Sequence, residues 1–150
     1  MIECLKLKNT DKVLEIGTGT GYQAALLAHL CKHVCTIEIF RKLYNQAKAN
    51  HNKLKLKNIS HMLGNGINGW NKHTLFDAII ISAATDLSPI KLSKNLKNGG
   101  KIIFPKKYPT RIQKLILLEK INKTKHKHKE LLDVRFVPLL ETNVLETSIH

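Results

Sequence analysis

The chain has 150 residues, 43% hydrophobic and 24% charged, which excludes a disordered polymer and fits one domain with its own core. No apolar run approaches the roughly 20 residues of a membrane-spanning helix, and no charged-then-apolar leader opens the chain, so it reads as cytoplasmic. With 25 Lys and Arg against 11 Asp and Glu the net charge is +14; this suits nucleic acid, acidic proteins or acidic membranes, but the lysine–asparagine–isoleucine bias of an A- and T-rich genome is the preferred account.

In chain order, residues 1–10 form a short apolar and basic lead-in, with Ile2, Leu5 and Leu7 as the end of a helix. An apolar run at 12–16 ending at Gly17 suits a buried parallel strand. Helical spacing of Ala24, Ala25, Leu27 and Ala28 predicts a helix at 22–30. A strand at 34–39, a helix at 41–54 and a strand at 59–63 follow, then the glycine loop 64-GNGINGW-70 and a strong strand, 76-FDAIIIS-82. A helix is expected at 87–96, stopped by Asn98-Gly99-Gly100, and a fifth strand at 101–104. Beyond Pro105 two strand-like runs, 113–121 and 132–138, flank 122-NKTKHKHKE-130 with no helix between them, so they predict an antiparallel hairpin. The Lys/His run reads as its solvated tip, since it lacks aromatic residues on which bases could stack. Residues 1–140 make one core and 141–150 a flexible tail. The expected fold is α/β: a mostly parallel, doubly wound sheet with a C-terminal antiparallel hairpin. Cys4, Cys31 and Cys35 are an odd number with no second metal-type pair, and they read as reduced thiols.

The chemistry centres on 13-VLEIGTGTGYQ-23, where a strand runs through glycines into a helix. A dinucleotide fingerprint needs G-x-G-x-x-G, but Tyr22 stands where its third glycine would be. The spacing is E-x-G-x-G-x-G, with Glu15 inside the strand, the form typical of S-adenosylmethionine-dependent methyltransferases. Their ligand carries an amino-acid moiety and a sulfonium rather than a pyrophosphate, so it needs the turn but no helix dipole aimed at phosphate. Glu38, ending 34-VCTIE-38, stands where a carboxylate accepts ribose hydroxyls. The alternative is a surface residue at a strand end. Asp77 is either structural or part of the pocket lining. After the fourth strand, 81-ISAATDLSP-89 lacks the N/D-P-P-Y/F element that base-amino methyltransferases use, which favours an acceptor already nucleophilic, such as a carboxylate.

The segments 13-VLEIGTGTGYQAALLA-28, 34-VCTIE-38, 64-GNGINGW-70, 76-FDAIIISAA-84, 99-GGKIIFP-105, Gln113 and 136-FVPL-139 together resemble the protein-L-isoaspartate O-methyltransferases, over 1–139. The resemblance implies a Rossmann-like S-adenosylmethionine-dependent methyltransferase fold and S-adenosyl-L-methionine as methyl donor. The acceptor would be the free carboxylate of L-isoaspartyl residues in damaged proteins or peptides, whose ester collapses to a succinimide that reopens partly to normal aspartate. Carried over, Gly17, Thr18, Gly19 and Gly21 wrap the methionine part, Glu15 in the strand before them joins the cofactor-binding set, and Glu38 holds the ribose. Asn65 and Gly66 contact the adenine, and Gln113 lies near the cofactor. Ala83, Ala84, Phe136, Val137, Pro138 and Leu139 border the peptide cleft. From the residues alone, 136–139 is equally a core strand and Gln113 a surface hairpin residue.

Two departures stand out. The family's G-D-G is Gly64-Asn65-Gly66 here, so the adenine's partner keeps an acceptor oxygen but loses its charge, and weaker cofactor binding is expected. The family's segment before the first strand, with a G-Q-T-I-S-like motif whose hydroxyl residue is assigned to the active site, is matched only from the helix after it, at 1–7. No catalytic residue is therefore assigned by matching, and the chain reads as a shortened, cofactor-binding core without its lid. Two other functions stay open: a non-catalytic, degenerate cofactor-binding remnant, or an RNA or DNA methyltransferase suggested by the charge. Neither a membrane nor nucleic acid is the expected partner, and a monomer is expected.

Overall fold

The computed structural model describes residues 1–71, 74–86, 88–110 and 112–140; the expected tail at 141–150 lies outside them. The described elements are α1 (Ile2–Leu5), β1 (Lys12–Ile16), α2 (Tyr22–Leu30), β2 (His33–Glu38), α3 (Arg41–Lys53), β3 (Ile59–Leu63), β4 (Phe76–Ile81), β5 (Leu96–Lys107), β6 (Gln113–Lys120) and β7 (His126–Val134). Two 3₁₀ segments, Gly66–Asn68 and Pro89–Asn95, complete them. The seven strands form one sheet in the order β3-β2-β1-β4-β5-β6-β7. Strands β1 to β5 run parallel, whereas β6 and β7 are antiparallel to their neighbours.

The central strands are buried on both faces, which is why they read as unbroken apolar runs rather than alternating ones. Leu14, Ile16, Ile79 and Ile81 point to one face, where Leu92, Leu96 and Phe104 pack against them. Val13, Ala78 and Ile80 point to the other, where Ala24, Leu27 and Ala28 of α2 and Leu5 of α1 cover them. Alanines on α2 let the helix approach the sheet closely. Cys31 and Cys35 are buried and unpaired, and burial pushes both thiols up to about 11. Among the described residues no helix is long and apolar enough to cross a membrane.

Three expectations change. The helix expected at 87–96 is a 3₁₀ segment, Pro89–Asn95, with Leu87 outside the described residues. Tertiary polar contacts set its length: Lys120 Nζ donates to the carbonyls of Ser93 and Leu96, both at 2.6 Å, and buried Asn95 donates to those of Asn71 and Thr74. Asn98-Gly99-Gly100 is accordingly no helix stop. It lies inside β5, where the register jumps from Phe76 opposite Leu96 to Ala78 opposite Lys101, and Gly99 takes the left-handed φ of 78° that this excursion needs.

The hairpin forms, but its second strand starts at His126, not 132, so most of the Lys/His run is strand. β7 is an edge strand with a largely exposed pattern, and lysines on such an edge discourage pairing with other chains. A strand with no fully buried residue, only Leu131 and Val134 half-buried against the core, carries little apolar signal to read. Asp77 proves structural: it accepts Lys12 N–H and Lys97 Nζ, each at 2.8 Å, at the start of β4, away from the strand ends that bear the glycine loop.

Candidate cofactor and active site

Strand β1 lies between β2 and β4, so the winding direction reverses beside it. Ligands of open α/β sheets bind at such a switch point, beyond the carboxyl ends of the strands. A cavity of about 500 Å³ lies there. Its walls come from the glycine loop after β1, Glu38 to Phe40 after β2, Gly64 and Gly66 after β3, Ser82 and Ala83 after β4, and residues 137–140. The lining is mostly apolar, with Ile16, Ile37, Ile39 and Leu43, and Glu38 is its ionisable member among the described residues.

The glycine loop is held from below by β2. Gly17 and Thr18 N–H both donate to the Ile37 carbonyl, at 2.9 and 3.3 Å, while Gly19 N–H donates to Glu38 Oε2 at 2.7 Å. Gly17 and Gly19 have φ of 92° and 57°, and a Cβ at Gly19 would enter open space beside the cavity. Glu38, 4% exposed, accepts through Oε1 from Ile39 and Phe40 N–H as well, both at 3.0 Å. Three of a carboxylate's roughly four acceptor positions are thereby filled by backbone, leaving about one for a ligand.

Glu15 does not line the cavity. It is 0% exposed between sheet and α2, accepting from Thr36 Oγ1 at 2.6 Å and Gln23 Nε2 at 3.1 Å. Since the single Thr36 hydroxyl proton goes to Glu15, the Thr18 hydroxyl donates to Thr36 across 2.6 Å. Gln23 also donates to Ser82 Oγ at 2.8 Å. One network therefore joins the glycine loop, β2, β1, α2 and the end of β4 beneath the cavity. Burial pushes the Glu15 carboxyl up to about 7, against the downward pull of the Thr36 and Gln23 hydrogen bonds.

On the opposite wall, residues 136–139 cross the end of β4. Ala84 N–H donates to the Val137 carbonyl and Leu139 N–H to the Ala84 carbonyl, both at 2.7 Å. Gln113 clamps the start of this crossing: Oε1 accepts Phe136 N–H at 2.6 Å and Nε2 donates to the Phe136 carbonyl at 3.1 Å. The segment is therefore neither part of β7 nor a core strand, and Val137 is 69% exposed.

The cavity wall thus contains Gly17, Gly19, Glu38, Gly66, Ala83, Val137, Pro138 and Leu139 of the residues expected from sequence. Behind it stand Glu15, Thr18, Ala84, Phe136 and Gln113, which shape the wall through the contacts above, and Gly21, whose N–H donates to the Thr18 carbonyl at 3.0 Å. Asn65 also stands off it, its Oδ1 accepting Ile67 N–H at 3.0 Å to cap the 3₁₀ turn. Sequence reasoning assigned no role to Ser82, Phe40, Leu43 or Gly64. Ser82 and Gly64 were open to inference as the residues that end β4 and β3 at the switch point; Phe40 and Leu43 carried no such signal.

Strand order, switch-point cavity and the carboxylate closing β2 define the Rossmann-like fold of the S-adenosylmethionine-dependent methyltransferases. The family model described as protein-L-isoaspartate(D-aspartate) O-methyltransferase matches residues 1–144. Protein-L-isoaspartate O-methyltransferase 1 of Nitrosospira multiformis is 45% identical over 139 residues, covering 93% of this chain and 59% of its own length. Protein-L-isoaspartate O-methyltransferase 2 of a Polaromonas species is 40% identical, covering 93% and 66%. A solved structure titled protein-L-isoaspartate O-methyltransferase superposes with a TM-score of 0.86 at 29% identity, over 96% of this chain and 46% of that one. One titled as that enzyme from Plasmodium falciparum, in complex with S-adenosyl-L-homocysteine, gives 0.73 at 25% identity, over 90% and 68%. The chain belongs to the protein-L-isoaspartate(D-aspartate) O-methyltransferase family, and it spans about 60% of the length of the first of these relatives.

Proposed function

We propose that this chain is the core of a protein repair methyltransferase acting on the free carboxylate of L-isoaspartyl residues in damaged proteins or peptides, with 1–140 as one functional unit, working as a cytoplasmic monomer. One observation carries the reading: Gly17, Gly19 and Glu38 share a single cavity with Ala83, Val137, Pro138 and Leu139, so the walls expected for donor and acceptor face each other. The family relationship favours it over a nucleic-acid substrate.

S-adenosylmethionine supplies the methyl group on a sulfonium. The residues here suit it: the cavity is apolar enough for an adenine, the Gly19 position leaves room for close approach, and Glu38 retains about one acceptor position for a ribose hydroxyl. In this reading Gly17 and Gly19 cradle the amino-acid end and Gly64 and Gly66 border the adenine. Gln113 and Ala84 hold residues 136–139 as the wall along which an acceptor peptide lies. The apolar side chains exclude water, and transfer to a carboxylate asks mainly for alignment and desolvation.

The test pairs S-adenosyl-L-homocysteine calorimetry with radiolabelled methyl transfer to an isoaspartyl peptide and its aspartyl isomer. The expected result is binding, with base-labile label on the isoaspartyl peptide alone. No binding, or label on RNA instead, would sink the proposal. Asn65→Asp keeps the cap on Ile67 while adding a charged acceptor, so affinity should rise roughly two- to tenfold, the scale of a charge-assisted hydrogen bond. Unchanged affinity removes Asn65 from the adenine site.

A further inference from the structure

His51 lies outside the cavity wall, yet it is 1% exposed and wedged against the glycine loop. It sits in the last turn of α3, with ring Nε2 2.7 Å from the Gly21 carbonyl oxygen and Nδ1 2.7 Å from Nε2 of His61 on β3. The carbonyl only accepts, so His51 Nε2 carries a proton. Nδ1 then shares a single proton with Nε2 of His61, the donor of that bond depending on the tautomer. A chain of hydrogen bonds thus links β3 through α3 to the loop, with His51 as the donor to the Gly21 carbonyl.

Neighbouring contacts fit this arrangement. The two imidazole centroids are 5.0 Å apart, and the Tyr44 ring meets His61 edge-on at 6.2 Å. Burial, then the neighbouring His51 and Lys48, hold the pKa of His61 down at about 4, so the ring stays neutral. Asn50, one residue before His51, donates to the Thr20 carbonyl at 2.9 Å. α3 therefore grips two consecutive carbonyls of the loop. Gly21 holds a φ of 88°, and a Cβ there would run into the His51 ring, so ring and glycine are matched in shape.

We propose that His51, oriented by His61, is a positioning residue for the cofactor, holding the Gly21 end of the loop in the shape that receives the ligand's amino-acid end. The inference rests on the reading of Gly17 and Gly19 as the cradle for that end. His51→Leu removes the donor at similar volume. His51→Gln keeps an N–H at comparable reach, and His61→Leu removes the orienting bond while leaving His51 and its bond to Gly21 in place. S-adenosyl-L-homocysteine and adenosine, which lacks the amino-acid end, are titrated against each folded variant.

His51→Leu should weaken S-adenosyl-L-homocysteine roughly five- to tenfold, the scale of one internal hydrogen bond, and leave adenosine within about twofold. His61→Leu should show the same split at a smaller size, and His51→Gln should restore binding. Equal loss for both ligands would make His51 merely structural, and no loss would remove it from positioning; either overturns the proposal. If His51→Leu fails to fold, His61→Leu decides by the same split. A parent chain that binds neither ligand overturns the cofactor reading itself, a result distinct from both.

Discussion

Glu15 is fully buried on β1, and burial lifts its carboxyl from the ordinary 4.5 to about 7. The native chain therefore binds this proton more tightly than the unfolded chain does. Stability from the group is fully present below pH 4.5 and is lost as pH rises through 7, a loss of about 3 kcal/mol at 1.36 kcal/mol per pKa unit. Glu15→Gln removes the titration while still accepting from Thr36. Gln23 can turn its amide to suit, because the Ser82 hydroxyl both donates and accepts. Urea unfolding between pH 4.5 and 7.5 should show a flatter stability profile for the variant than for the parent. Parallel profiles would mean that Glu15 does not titrate in this range.

At the scale of elements, the crossing segment 136–139 is held by few bonds: the two from Gln113 to Phe136 and the two exchanged with Ala84. Removing the Gln113 pair leaves the Phe136 backbone groups to water, at about 1–2 kcal/mol for two hydrogen bonds. Gln113→Ala should speed amide exchange at Phe136 and Leu139, whose N–H groups donate to Gln113 Oε1 and the Ala84 carbonyl, and lower the melting temperature by only a few degrees, since β6 and β7 keep their own ladder. S-adenosyl-L-homocysteine affinity should fall several-fold, because Val137, Pro138 and Leu139 form one wall of the cavity. Exchange rates equal to the parent's would show that the segment is held elsewhere.

For the whole molecule, stability rests on the central strands. Ile79 is 0% exposed on β4, between β1 and β5, and packs into the cluster with Leu14, Leu92 and Phe104. Ile79→Ala should cost 2–5 kcal/mol of unfolding free energy, about the range for a buried Ile truncated in a core, measured by urea denaturation. A cost under about 1 kcal/mol would mean that the face collapses around the loss. The net charge of +14 has little bearing on the cavity, whose ionisable lining residue among those described is the carboxylate Glu38.

The apolar runs of β1 and β4, the glycine spacing after β1 and the carboxylate at the end of β2 were legible in the sequence, because each depends on local spacing and on burial of both strand faces. From them the sheet, the switch point and one wall of the cavity follow. Other features depended on contacts between residues distant in the chain. Lys120 sets the end of the 3₁₀ segment, Gln113 reaches 23 residues ahead to clamp Phe136, and His51 fits against Gly21. The strand β7, exposed on the sheet edge, has no apolar period to betray it. The sequence by itself determined the fold class and the donor side of the site. Only the tertiary structure decided which residues wall the cavity and which stand behind it, because side-chain hydrogen bonds across the sheet leave no periodic trace in the chain.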